Sequence, residues 1–246
     1  MVSLFETVEL ASAASLIPLF LGVYVGHAVR GRPANTSLPV VTTVAAGIMI
    51  WFFLDVMGEA ALLGLNQGLA GGPLHLLIVL LFPIGFFTMI LLEKTSQSHG
   101  PLDLVYLAAV AIGFHGLAEG ITIGSGLSLA PDPIAAIGGV LAVVSFVVHK
   151  ALEGFVVSVF LNPKTVLVKT VVAVLAAGLP TVFGSMIGFG FSPDSSYFFA
   201  LGGGSALWLL GFLIQKSTSL ANRTLWAIAL LAGILLMYSA GLLHSA

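Results

Sequence analysis

Residues 102–161 read LDLVYLAAVAIGFHGLAEGITIGSGLSLAPDPIAAIGGVLAVVSFVVHKALEGFVVSVFL. Two apolar runs, 102–129 and 134–161, flank the turn Pro131-Asp132-Pro133. Each exceeds the roughly 20 residues a helix needs to cross hydrocarbon, so the stretch predicts a pair of membrane-spanning helices. Working outward, similar runs occupy 8–29, 39–65, 73–93, 166–190, 195–215 and 224–244. The breakers between them are explicit: GRPANTSLP, NQGLAGGP, EKTSQSHGP, NPK, FSPDSS and QKSTSLANR. The expected fold is all-α, a polytopic membrane bundle of eight transmembrane helices forming a single domain over 1–246. Barrel strands would be shorter and would alternate apolar with polar residues, which these runs do not.

Composition agrees. Of the 246 residues, 59% are apolar and only 7% charged, and mean hydropathy is +1.14. A soluble domain carries about a quarter charged residues, so a soluble enzyme of this length is excluded. The net charge of −2 gives no basis for a nucleic-acid partner; the lipid bilayer is the expected one. Cysteine is absent, which removes disulfides, thiolate ligands and Cys nucleophiles. The beginning, MVSLFETVEL, is acidic and lacks the positive n-region of a secretory signal, so the first run reads as a span.

Arg30, Arg32, Lys94, Lys164, Lys169, Lys216 and Arg223 all fall in or beside the odd-numbered connections. The opposite connections hold Asp132 and Asp194 but no cation. The positive-inside rule puts the odd-numbered connections in the cytoplasm and both termini outside.

The eighth cation, Lys150, lies inside a span, as do Asp55, Glu59, His115, Glu119, His149 and Glu153. A central Asp or Lys costs about 2.5–3.5 kcal/mol on insertion scales, so such residues need partners, an ion or a wet path. Interhelical polar glue is the plain reading. The spacing argues for more. Span four holds His115-Gly116-Leu117-Ala118-Glu119-Gly120, and span five holds His149-Lys150-Ala151-Leu152-Glu153-Gly154. Both are His-x-x-x-Glu-Gly, which sets imidazole and carboxylate on one helix face, a turn apart. The histidines are equidistant from Asp132 in the turn, so antiparallel neighbours would carry both motifs to one depth near mid-bilayer. The expected arrangement is a column of carboxylate, two imidazoles and carboxylate. Two imidazoles with two carboxylates suit Zn²⁺ and tolerate Fe²⁺, Mn²⁺ or Co²⁺, and two carboxylates neutralise a divalent charge. A proton relay or structural seam is the competing reading.

These residues resemble the ZIP (Zrt/Irt-like) family of divalent-metal transporters. His115, Glu119 and Gly120 match the family's span-four motif, and His149, Lys150, Glu153 and Gly154 its span-five motif. Phe53-Leu54-Asp55-Val56-Met57-Gly58-Glu59-Ala60 is similar to the span-two Phe-x-His-Leu-x-Pro-Glu-Ala, with Asp55 at the His position. Pro180 and Gly184 resemble Pro-x-x-Gly in span six more loosely, and Gly202-Gly203-Gly204 the glycine-rich start of span seven, where no acid follows. The resemblance implies eight spans, outside termini, and metal transport toward the cytoplasm. Gly116 stands at the usual Asn position, Ala118 and Leu152 where proline is frequent, and only His99 remains of the cytoplasmic histidine-rich loop. In relatives with a carboxylate at position 150, the resemblance implies two metals bridged by the glutamates; here Lys150 is expected to substitute for the second charge.

Asp55 and Glu59 are also i,i+4 and are expected to receive the cation at the outer mouth. His27 reads as an interfacial residue beside Arg30, and His75 and His244 as surface bystanders. Ser145, a turn before His149, would either orient that ring or bond its own backbone. Gly124, Gly126, Gly138 and Gly139 read as permitting close helix packing. The expected cargo is Zn²⁺, with Fe²⁺, Mn²⁺, Co²⁺ or Cd²⁺ as alternatives. No cofactor and no enzymatic activity are expected, and a second copy of the chain is an expected candidate partner. The alternatives are an intramembrane zinc hydrolase, against which stands the absence of His-Glu-x-x-His, and a proton or cation channel through the same polar column.

Overall fold

The computed structural model describes residues 2–30, 37–67, 73–99, 104–129, 132–136, 138–161 and 167–243. These form α1 (Leu4–Arg30), α2 (Ser37–Gln67), α3 (Pro73–His99), α4 (Leu104–Leu129), α5 (Pro133–Ala136), α6 (Val140–Ser158), α7 (Leu167–Phe191), α8 (Ser196–Ser217) and α9 (Arg223–Leu242). No strand occurs among the described residues. All but the single turn α5 are long and apolar enough to cross a membrane, eight among the described residues.

The expected fifth run, 134–161, is not one helix. Gly138 and Gly139 adopt φ of +95° and +97°, a region that glycine enters without steric penalty, and the chain breaks there. The span is therefore α6 alone, 19 residues, about 28 Å at 1.5 Å per residue. These two glycines make a turn rather than a packing face. Both α4 and α6 run unbroken past Ala118 and Leu152.

The helices sort into two groups of four. In the first, α4 packs on α7, and α1 packs on α6 and α7; in the second, α8 packs on α2 and α3, and α2 on α9. The main join between the groups is α4 against α8. Consecutive α4 and α6 are thus not packed neighbours, contrary to the simple hairpin expectation. Each lies against a different member of its group.

Lipid tails are as apolar as leucine, so association depends on close van der Waals contact and on small residues. Along α4 and α7 the backbones touch: a Cβ on Gly120 would stand 2.0 Å from Thr181 O, and one on Gly184 2.2 Å from Leu117 O. Gly124 shares this seam, facing Ser185 O. Gly22 and Gly154 do the same between α1 and α6. We expect Gly184→Ala to force the seam apart and lower the unfolding temperature, measured in detergent. Gly211→Ala, where nothing lies within 4 Å, should leave it unchanged or raise it through helix propensity.

Hydroxyls bridge the groups. Ser205 on α8 donates to Ala111 O on α4 at 2.8 Å. Ser145 donates to Ala240 O on α9 at 2.7 Å, so it neither orients His149 nor bonds its own helix. At the other end of α6, Arg30 donates to the carbonyls of Ser158 and Leu161, satisfying acceptors that a helix C-terminus leaves open. Lys216 lies over the rings of Phe160 and Phe212, at 5.7 and 5.0 Å. These contacts gather the C-terminal ends of α1, α6 and α8 with their cations. Arg32, Lys164 and His244 lie outside the described residues, as do the side chains of His75 and His99.

Candidate metal centre

His115 and Glu119 come from α4, and His149, Lys150 and Glu153 from α6. The i,i+4 spacing does locally what it promised. His115 Nε2 stands 3.3 Å from Glu119 Oε1, and His149 Nε2 stands 3.2 Å from Glu153 Oε1. A third contact crosses between helices, His149 Nε2 to Glu119 Oε1 at 3.6 Å. One ligand atom from each of the four residues lies within 4.8 Å of the others. The expected column is therefore a compact cluster, because Glu119 turns back to meet His149 instead of extending away from it.

Burial is nearly complete. Lys150 and Glu153 are 0% exposed and His115 2%. Phe52 of α2 closes on both imidazoles, with ring centroids 4.5 Å from His115 and 5.6 Å from His149. Phe199 of α8 lies 5.4 Å from His115, and Gly202 lets α8 approach until a Cβ there would be 2.8 Å from His115 Cα. So one helix group supplies every polar residue of the cluster, and the other supplies an apolar wall.

Lys150 pairs with both carboxylates. Its Nζ lies 3.0 and 2.8 Å from the two oxygens of Glu153 and in direct ion-pair contact with Glu119 Oε2. The ammonium therefore ties α4 to α6. Glu119 presents Oε1 to the imidazoles and Oε2 to the ammonium.

The imidazoles are less well served. His115 Nδ1 and Nε2 and His149 Nε2 are buried without a hydrogen-bond partner. Buried ring nitrogens facing carboxylate oxygens are a donor set that a divalent cation can take. Tetrahedral zinc with ligands at about 2.0–2.2 Å holds them roughly 3.3–3.6 Å apart, close to the three His–Glu separations of 3.2, 3.3 and 3.6 Å. With neutral imidazoles, two carboxylates and one ammonium leave one net negative charge. That is the sign a cation site needs.

Asp55 is exposed and Glu59 half-buried, and neither belongs to the four-ligand group. They lie three and seven residues beyond Phe52, on the flank of the helix face that meets the histidines. On the opposite side of the cluster, toward the cationic end, Met49, Ile112, Val157 and Leu209 are at most 1% exposed, so the packing is close there. His27 is half-buried near the end of α1. Sequence reasoning missed Phe52, Phe199 and Thr181, a buried hydroxyl beside Gly116. Their hint is the small residues at Gly116 and Gly202, which allow close approach, but no periodicity identifies what approaches.

Fold and site together define a polytopic helical membrane protein with a buried His/Glu cluster able to hold a metal. No family model matches the chain, and no curated protein matches it in sequence. The likeness to ZIP transporters therefore rests on the residues named above.

Proposed function

We propose that this protein transports divalent metal ions, zinc foremost, across the cell membrane toward the cytoplasm, and that it is not an enzyme. One observation carries the reading: His115, Glu119, His149 and Glu153 converge on one helix group, with Nε2 atoms 3.2–3.6 Å from carboxylate oxygens, against an apolar wall from the other. A site fixed to one group and walled by another suits alternating access, in which one bundle moves against its partner around the ion. Asp55 and Glu59 receive the cation at the outer side, and both termini face outside, as the cation distribution requires. The close packing of Met49, Ile112, Val157 and Leu209 on the cationic side favours a carrier over an open channel. No sequence resembling a P-loop is present, so an ion or electrical gradient drives the movement.

Liposomes holding a zinc-sensitive dye test this directly. Reconstituted protein should raise the rate of dye response to external Zn²⁺ well above that of empty liposomes, and Mg²⁺, which prefers an all-oxygen octahedral shell, should not compete. Uptake no faster than through protein-free bilayers overturns the transport reading.

A further inference from the structure

Thr181, midway along α7, is 0% exposed and its hydroxyl has no hydrogen-bond partner. Thr42, Thr43 and Thr88 each donate to the carbonyl four residues back; Thr181 does not. A buried hydroxyl left unpaired is rare and calls for a cause. The cause lies next to it. A Cβ on Gly116 would stand 2.6 Å from Thr181 Oγ1, 3.4 Å from Ala177 O and 3.6 Å from Lys150 Nζ. The absence of a side chain at Gly116 thus brings a hydroxyl from α7 and an ammonium from α6 to one point on α4. Lys150 directs its hydrogen bonds to Glu119 and Glu153, so Thr181 waits beside it with free lone pairs.

We propose that Thr181 receives the Lys150 ammonium when a divalent cation takes the two carboxylates, which makes it a positioning residue of the metal site. This rests on the metal-binding reading above. A bound divalent ion draws the glutamate oxygens to itself and repels a like charge a few ångströms away. The ammonium must then move, yet in this interior it cannot give up an acceptor without finding another. Thr181 Oγ1 is an unpaired acceptor at the same point of α4 that is not one of the four metal-ligand residues, and Ala177 O adjoins that point. The Phe146 ring, 5.6 Å from Nζ, offers a π face but no lone pair. A side chain at position 116 would crowd the hydroxyl, its Cβ standing 2.6 Å from Thr181 Oγ1.

The test is equilibrium Zn²⁺ binding to the purified full chain in detergent. Thr181→Val keeps the shape and removes the acceptor; it should weaken binding about tenfold, the value of one hydrogen bond to a charged group. Thr181→Ser should restore affinity to within about twofold of wild type. In a Lys150→Met background the Thr181→Val change should have no effect, since no ammonium needs receiving. Zinc-free Thr181→Val should unfold at or above the wild-type temperature, because an unpaired hydroxyl has been removed. Wild-type affinity in Thr181→Val, an undiminished loss in the Lys150→Met background, failure of serine to restore binding, or a lowered zinc-free unfolding temperature each overturns the proposal. If wild-type protein itself binds no Zn²⁺, the metal reading falls too; that result appears before any Thr181 variant is made, so the two failures are distinguishable.

Discussion

Replacing His149 and Glu153 together by alanine should abolish zinc uptake, lowering the initial rate in liposomes by about two orders of magnitude or more. Removing a group that merely supports a ligand costs roughly 10–100-fold in metal affinity, and here two of four ligands go. The charge balance goes with them. Glu119 and Lys150 would remain as a neutral pair, already in contact, and nothing would compensate a divalent ion in a cluster at most 11% exposed in its side chains. Elemental analysis of protein equilibrated with Zn²⁺ should fall from one metal per chain to none. His27→Ala, at the end of α1 and outside the four-ligand group, should leave both values near wild type. Uptake as fast as wild type by the double variant, with protein still monodisperse, would sink the assignment of these ligands.

What the sequence makes legible follows from what periodicity can encode. Hydrophobic runs fix the number of spans because backbone polar groups in lipid must be satisfied within a helix, and eight helices of spanning length form. The i,i+4 step fixes which side chains share a face, so the His115–Glu119 and His149–Glu153 pairs form at 3.3 and 3.2 Å. Which helix packs on which is a different matter. It depends on backbone approach at Gly120, Gly184, Gly22 and Gly154, and a glycine signals closeness without naming its partner. That is why α4 was expected beside its chain neighbour yet lies on α7. Ser145 illustrates the same limit: its acceptor, Ala240 O, is 95 residues away. The turn at Gly138 and Gly139 was hidden by the apolar residues on both sides, since a run of hydrophobicity does not show a positive φ. Lys150 was the more tractable case, because one of its partners, Glu153, is on its own helix, and the Glu119 contact followed once the two motifs met.

Lys150→Glu should raise bound zinc from one to two ions per chain. In the present arrangement each carboxylate contacts both an imidazole and the ammonium: Glu119 splits its two oxygens between them, and Glu153 meets His149 through Oε1 while Lys150 spans both of its oxygens. The ammonium thus lies against both glutamates. At an effective dielectric of about 20, unit charges about 4 Å apart interact by roughly 4 kcal/mol, so an ammonium kept near the cluster, whether on the glutamates or displaced toward Thr181, disfavours a second divalent ion by several kcal/mol. Glutamate at 150 reverses that sign and adds a ligand, giving three carboxylates for two cations. Lys150→Met separates the two contributions: it removes the repulsion without supplying an oxygen, and one metal per chain is expected. Calorimetry and elemental analysis read the stoichiometry, and zinc-dependent thermal stabilisation shows that the variants remain folded around it. A folded Lys150→Glu protein that still binds a single zinc would mean that the ammonium only braces α4 against α6 and does not stand in for an ion.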